Sequence, residues 1–171
     1  GDIGFVFFEV LLVTIILHQL LSFRDKQSLL KKLNMVIGAF FSEVGTDLIK
    51  KLALFDEKAK DLGDELMVTG SWSDKKFAVI RKRILGRQCT VNCGLSDLLD
   101  LNEFLQAKRD FLLALLENSN LLEHESFTNL LWAVFHLAEE LKFRQSVDDL
   151  PESDAKHLAG DIQRAYILLI S

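Results

Sequence analysis

Apolar residues follow more than one pattern along this chain, and each pattern predicts helix. From Gly4 to Leu21 they run almost unbroken as GFVFFEVLLVTIILHQLL, with Glu9, His18 and Gln19 as the strongly polar members. Residues 22–33 (SFRDKQSLLKKL) contain no breaker and keep Leu29, Leu30 and Leu33 on one helical stripe. One helix is therefore predicted over Ile3–Leu33, about 45 Å long at 1.5 Å per residue. Asn34 is the expected N-cap of a second helical region, residues 34–69. That region begins apolar on every side (Met35–Phe41) and becomes amphipathic after Gly45, with Leu48, Leu52, Phe55 and Leu62 apolar.

Ser73 is the expected cap of a short helix, followed by KKFAVIRKRILGR, Lys75–Arg87, and a loop that carries Cys89 and Cys93. Beyond it the apolar stripes are regular. Leu98, Leu101, Leu105, Leu112 and Leu115 predict one helix with Ser96 as its cap. Asn118-Ser119-Asn120 reads as a turn, with Asn120 and Glu123 as a capping box. Phe127, Leu130, Leu131, Val134, Leu137, Ala138 and Leu141 predict the next helix. Ala155, Leu158, Ala159, Ile162, Ala165 and Leu169 predict the last, with Pro151 in its first turn. The expected fold is all-α: an apolar N-terminal helix over residues 1–33, then a bundle of about five helices over residues 34–171.

Composition supports this picture. The 171 residues are 49% apolar and 26% charged, enough for a packed core, with a single proline (Pro151) and nine glycines. Collagen-like, proline-rich and turn-rich β-sandwich classes are excluded. Two cysteines four positions apart do not make a disulfide framework, which points to thiols in a reducing compartment.

The apolar run raises the membrane question. Its 18 residues meet the lower working limit for a bilayer span. Glu9 costs roughly 2–3 kcal/mol on insertion scales, which the apolar neighbours offset. Arg24, Lys26, Lys31 and Lys32 follow the run and only Asp2 precedes it, so the expected orientation is N-terminus outside and bulk cytoplasmic. A cleaved signal peptide would carry its positive charges first. The alternative is a helix buried in a core or an oligomer, hydrophobic all round.

Charge is divided unevenly. Residues 1–95 hold 14 Lys and Arg against 11 Asp and Glu, and residues 96–171 hold 6 against 14, for a total of −5. The run Lys75–Arg87 alone holds Lys75, Lys76, Arg81, Lys82, Arg83 and Arg87 and no acid. Interleaved with Phe77, Val79, Ile80, Ile84 and Leu85, it reads as a surface for a membrane or a partner, or as a face paired with the acidic half. The overall acidity, pI near 5.4, argues against nucleic acid as a partner. Gly38, Ser42 and Gly45 form a stripe of small residues that would admit a second helix, or fit tight packing inside the bundle.

Candidate chemistry is sparse. Cys89-x3-Cys93 has the wrong spacing for a zinc knuckle and no second pair, leaving an incidental pair or a redox or metal site. His136 and Glu140, four apart, are a further metal candidate or an exposed helical pair. No Glu-x-x-His of a di-iron bundle, no nucleophile elbow and no phosphate-cradling loop occurs. No catalytic residue and no cofactor is nominated. The expected function is a membrane-anchored interaction or regulatory module that associates with itself, with membrane lipid and an unknown protein as partners. Two alternatives remain: a soluble oligomeric bundle that binds an apolar ligand or cofactor, and a metal- or redox-active bundle.

Overall fold

The computed structural model describes residues 2–57, 59, 63, 72–87, 95–121, 124–144 and 151–171. They are helical with short connections, and no strand occurs among them. The order is α1 (Asp2–Phe40), a π-helical turn (Phe41–Gly45), α2 (Thr46–Ala53), α3 (Asp74–Leu85), α4 (Leu95–Leu116), a 3-10 turn (Ser119–Leu121), α5 (Glu125–Phe143) and α6 (Glu152–Ile170). The chain divides into two compact units, Gly1–Ala39 and Phe40–Ser171.

The first unit is α1 without its last residue. Asn34 caps nothing: helical backbone continues through it to Phe40. An asparagine in a helix interior costs well under about 1 kcal/mol, less than breaking the helix there. Phe8, Leu11, Ile15, Phe23 and the other apolar residues between 8 and 23 are exposed. Among the described residues no helix is long and apolar enough to cross a membrane. This corrects the single-pass localisation expected from Gly4–Leu21, and with it the N-terminus-outside, cytoplasmic-body orientation. Glu9, His18 and Gln19 interrupt the apolar run, and Arg24 and Asp25 follow it after two residues.

The second unit is a helical bundle. α5 packs between α4 and α6, α2 packs on α4 and α6, and α3 packs on α6. The predicted stripes form its core. Leu98, Leu101, Leu105, Leu112 and Leu115 of α4 are buried, as are Phe127, Leu130, Leu131, Val134, Leu137, Ala138 and Leu141 of α5. From α6 the core takes Leu158, Ile162, Ala165 and Leu169, joined by Tyr166. Leu48, Leu52 and Phe55 extend the same helical spacing out of the π turn.

The π turn is set by ring packing. Phe40 is fully buried, edge-on to Phe41 (centroids 5.3 Å apart) and to Phe127 (5.4 Å). A Cβ on Gly45 would lie 2.6 Å from Phe41 Cδ1 and 3.2 Å from Phe40 Cε1, so only glycine fits under these rings. The Thr46 backbone N–H and hydroxyl both donate to the Phe41 carbonyl, the latter at 2.8 Å, which satisfies the acceptor displaced by the wider turn.

Helix starts shift by small amounts from expectation. Ser73 caps α3 as predicted, its Oγ accepting from the Lys76 N–H at 3.4 Å. α4 begins at Leu95, before Ser96. Pro151 is itself the N-cap of α6. α5 starts later than an Asn120 cap implies: His124 is its N-cap, with Nδ1 accepting from the Phe127 N–H at 3.2 Å. The turn before it is pinned by buried Leu121, whose carbonyl accepts from the Thr128 hydroxyl at 2.7 Å.

Candidate docking face on α3

α3 combines an anchored side with a basic, apolar outer surface. Ile84 is buried and Ile80 half-buried, as expected of a helix packed on α6. The cap Ser73 and the first-turn Asp74 suit the positive end of the helix dipole, and Lys82 and Arg83 suit the negative end. Phe77, Val79 and Leu85 stay exposed, as do Lys75, Lys76, Arg81, Lys82 and Arg83.

These side chains form a patterned surface. Phe77, Arg81 and Leu85 make one i, i+4 row and Ala78 and Lys82 the adjacent one. Together with Ser171 they line an open cleft of about 550 Å³. Lys75, Lys76, Arg81 and Lys82 form no ion pair among the described residues. The Lys76 ammonium stands 4.5 Å over the Trp72 ring, which lies 5.1 Å from the Phe77 ring. Among the described residues the buried Trp72 Nε1–H has no hydrogen-bond partner.

Arg87, grouped with these cations by sequence, stands apart from them. Its guanidinium Nη2 donates to Asp56 Oδ2 at 3.0 Å, with the Asp56 side chain 2% exposed and that of Arg87 20%. Sequence reasoning missed Asp56. A signal was available, because Asp56 continues the i, i+4 row Leu48–Leu52 and an acid on an apolar stripe needs a partner.

Three other ion pairs tie helices together. Lys51 meets Asp100, and Lys108 lies 3.3 Å from Glu43, joining α2 and the π turn to α4. Arg109 Nε donates to Glu139 Oε1 at 2.7 Å between α4 and α5. This hydrogen bond holds the Glu139 carboxyl below the ordinary carboxylate range and raises the Arg109 guanidinium. Beside it, Gln106 Nε2 donates to the Ala138 carbonyl at 2.8 Å.

The other sequence candidates are scattered. His136 Nε2 lies 3.6 Å from Asp161 Oδ2 and 4.0 Å from Glu140 Oε1, and Arg144 holds Glu140 at 3.0 Å. Among the described residues no group of three or more His, Cys, Asp or Glu could hold a metal ion. Cys89 and Cys93 lie outside the described residues. Gly38 and Ser42 are exposed, with nothing within 4 Å of a Cβ on Gly38, whereas Gly45 is buried against Phe40 and Phe41.

Residues 29–171 match the family described as "Uncharacterized protein MJ1433, C-terminal helical domain". The chain is 44% identical over 168 residues to "Uncharacterized protein MJ1433" of Methanocaldococcus jannaschii, an alignment that covers 98% of this chain and 67% of that protein. No solved structure matches.

Proposed function

The chain belongs to the family of the MJ1433 C-terminal helical domain, and on that premise we propose that it is a non-catalytic interaction module whose bundle presents α3 as a docking helix. The partner that suits this face is an acidic, amphipathic helical segment of a protein. Its apolar side chains would enter the cleft between Phe77 and Leu85, and its carboxylates would meet Arg81 and Lys82 at the rim. One observation carries the reading: exposed Arg81 and Lys82, without an ion pair among the described residues, stand in adjacent i, i+4 rows beside exposed Phe77 and Leu85 on a helix packed on α6. Exposed apolar surface rimmed by charge is the usual mark of a partner site, and the charges set register and association rate more than affinity.

The test uses the full chain and a labelled synthetic helix bearing glutamates around a leucine stripe, followed by fluorescence anisotropy. Binding should weaken as salt rises, because rim charges are screened. Joint reversal R81E/K82E should reduce affinity at least ten-fold with unchanged helical circular dichroism. Equal affinity for the wild-type chain and the reversed variant would overturn the proposal, and so would the absence of binding.

A further inference from the structure

We propose that the acidic helix received by α3 is α4 of a second copy of this chain. This rests on reading α3 as a docking helix and names its partner. Within one copy α3 lies against α6, while α4 lies against α2 and α5, so the outer faces of α3 and α4 both point away from the core.

The outer face of α4 has the complementary pattern. Leu99, Glu103, Asp110 and Glu117 are exposed at i, i+4, i+11 and i+18, close to a single line along the helix at 100° per residue. Ala107 and Ala114, also exposed, lie on the same face and leave room for close approach. Leu99 is 53% exposed, an unpartnered apolar side chain at the start of an acidic row. Glu103 and Glu117 form no ion pair among the described residues, and Asp110 stands 3.9 Å from Arg109.

The two faces agree in spacing as well as sign. On α3, Leu85 and Arg81 are one turn apart, about 6 Å along the axis. On α4, Leu99 and Glu103 are separated by the same rise. Seating Leu99 in the cleft beside Leu85 therefore brings Glu103 opposite Arg81. Asp110 falls about 10 Å further along, past Phe77 and level with Asp74, within a turn of Lys75 and Lys76. A two-fold arrangement would use this pairing twice, α3 of each copy on α4 of the other.

Net charge works against self-association at long range, since each copy carries −5. The asymmetry within the chain works for it: residues 1–95 sum to +3 and residues 96–171 to −8. Beyond a Debye length of about 8 Å in physiological salt the net repulsion is screened, and the local faces decide.

The experiment is light scattering coupled to size exclusion on the full chain at low and high salt. Wild type should run as a dimer at low salt and shift toward monomer as salt rises. R81E and E103K should each weaken the dimer at least ten-fold. The double variant R81E/E103K, with the facing pair reversed, should restore it. That rescue cannot come from misfolding, because an unfolded variant would not regain a dimer. A wild-type monomer at low salt would overturn the proposal, and so would a dimer indifferent to both reversals. If the wild-type chain is monomeric but still binds the acidic synthetic helix, this inference fails while α3 stands as a docking helix. If that binding is absent too, both fail.

Discussion

The Arg87 guanidinium lies 3.0 Å from the Asp56 carboxylate, and this pair closes the chain between the end of α2 and the end of α3. Asp56 is the buried charged residue among those described, at the end of an otherwise apolar row. Its contact with Arg87 spans 31 positions of sequence. An arginine that composition assigns to a basic outer surface thereby becomes part of the internal structure.

Asp56→Ala should therefore destabilise the chain far more than any single reversal on α3. Removing one partner of a buried pair costs about 3 kcal/mol, because the other charge is left uncompensated. Arg87→Met should cost at least as much, since the Asp56 carboxylate it leaves behind is the more deeply buried of the two charges. The double variant should cost less than the sum. Urea denaturation of the three variants measures this, and additive losses would show that the two charges do not interact.

Gly45 and Gly160 should respond in opposite directions to alanine. Both stand in helical backbone, where alanine is favoured by up to about 1 kcal/mol. Nothing lies within 4 Å of a Cβ on Gly160, so Gly160→Ala should stabilise by about that amount. On Gly45 the Cβ would press on the Phe41 and Phe40 rings. Overpacking of about 1–3 kcal/mol outweighs the propensity gain, and Gly45→Ala should lower the melting temperature. A higher melting temperature for Gly45→Ala would refute the ring-packing account of the π turn.

Acid should weaken the α4–α5 contact through Glu139. Arg109 depresses the folded-state pKa of this carboxyl below its unfolded value. Its contribution is thus complete above the ordinary glutamate value of about 4.3 and disappears as pH falls through the lower folded value. Glu139→Gln should lower the melting temperature at neutral pH and flatten its decline on the acid side. Thermal melts across that range decide it, and parallel acid declines for wild type and Glu139→Gln would contradict the assignment.

Helices α4, α5 and α6 were legible in their leucine stripes, because burial of one face imposes a 3.6-residue period that survives without tertiary information. Ser73 was legible for a similar reason: its hydroxyl meets a donor three residues away. Asn34 and Asn120 show the limit of such local signals. Continuing α1 through Asn34 costs little. Ahead of α5, buried Leu121 holds a 3-10 turn in place and hands the cap to His124. The apolar run Gly4–Leu21 reads as a span by length, yet among the described residues no helix is long and apolar enough to cross a membrane.

The candidate site divides along the same line. The basic, apolar-interleaved character of residues 75–87 is a property of the sequence by itself, and so is the acidity of the half that follows. Which cations meet solvent is a different matter. Ile84 turns inward and sets the rotation of α3, leaving Arg81 and Lys82 beside the cleft, while Arg87 turns to an acid that lies 31 residues away. Helical period and net charge are sums over neighbours along the chain, so the sequence determines them unaided. Burial, pairing and exposure depend on residues brought near by packing, and only the tertiary structure decides them.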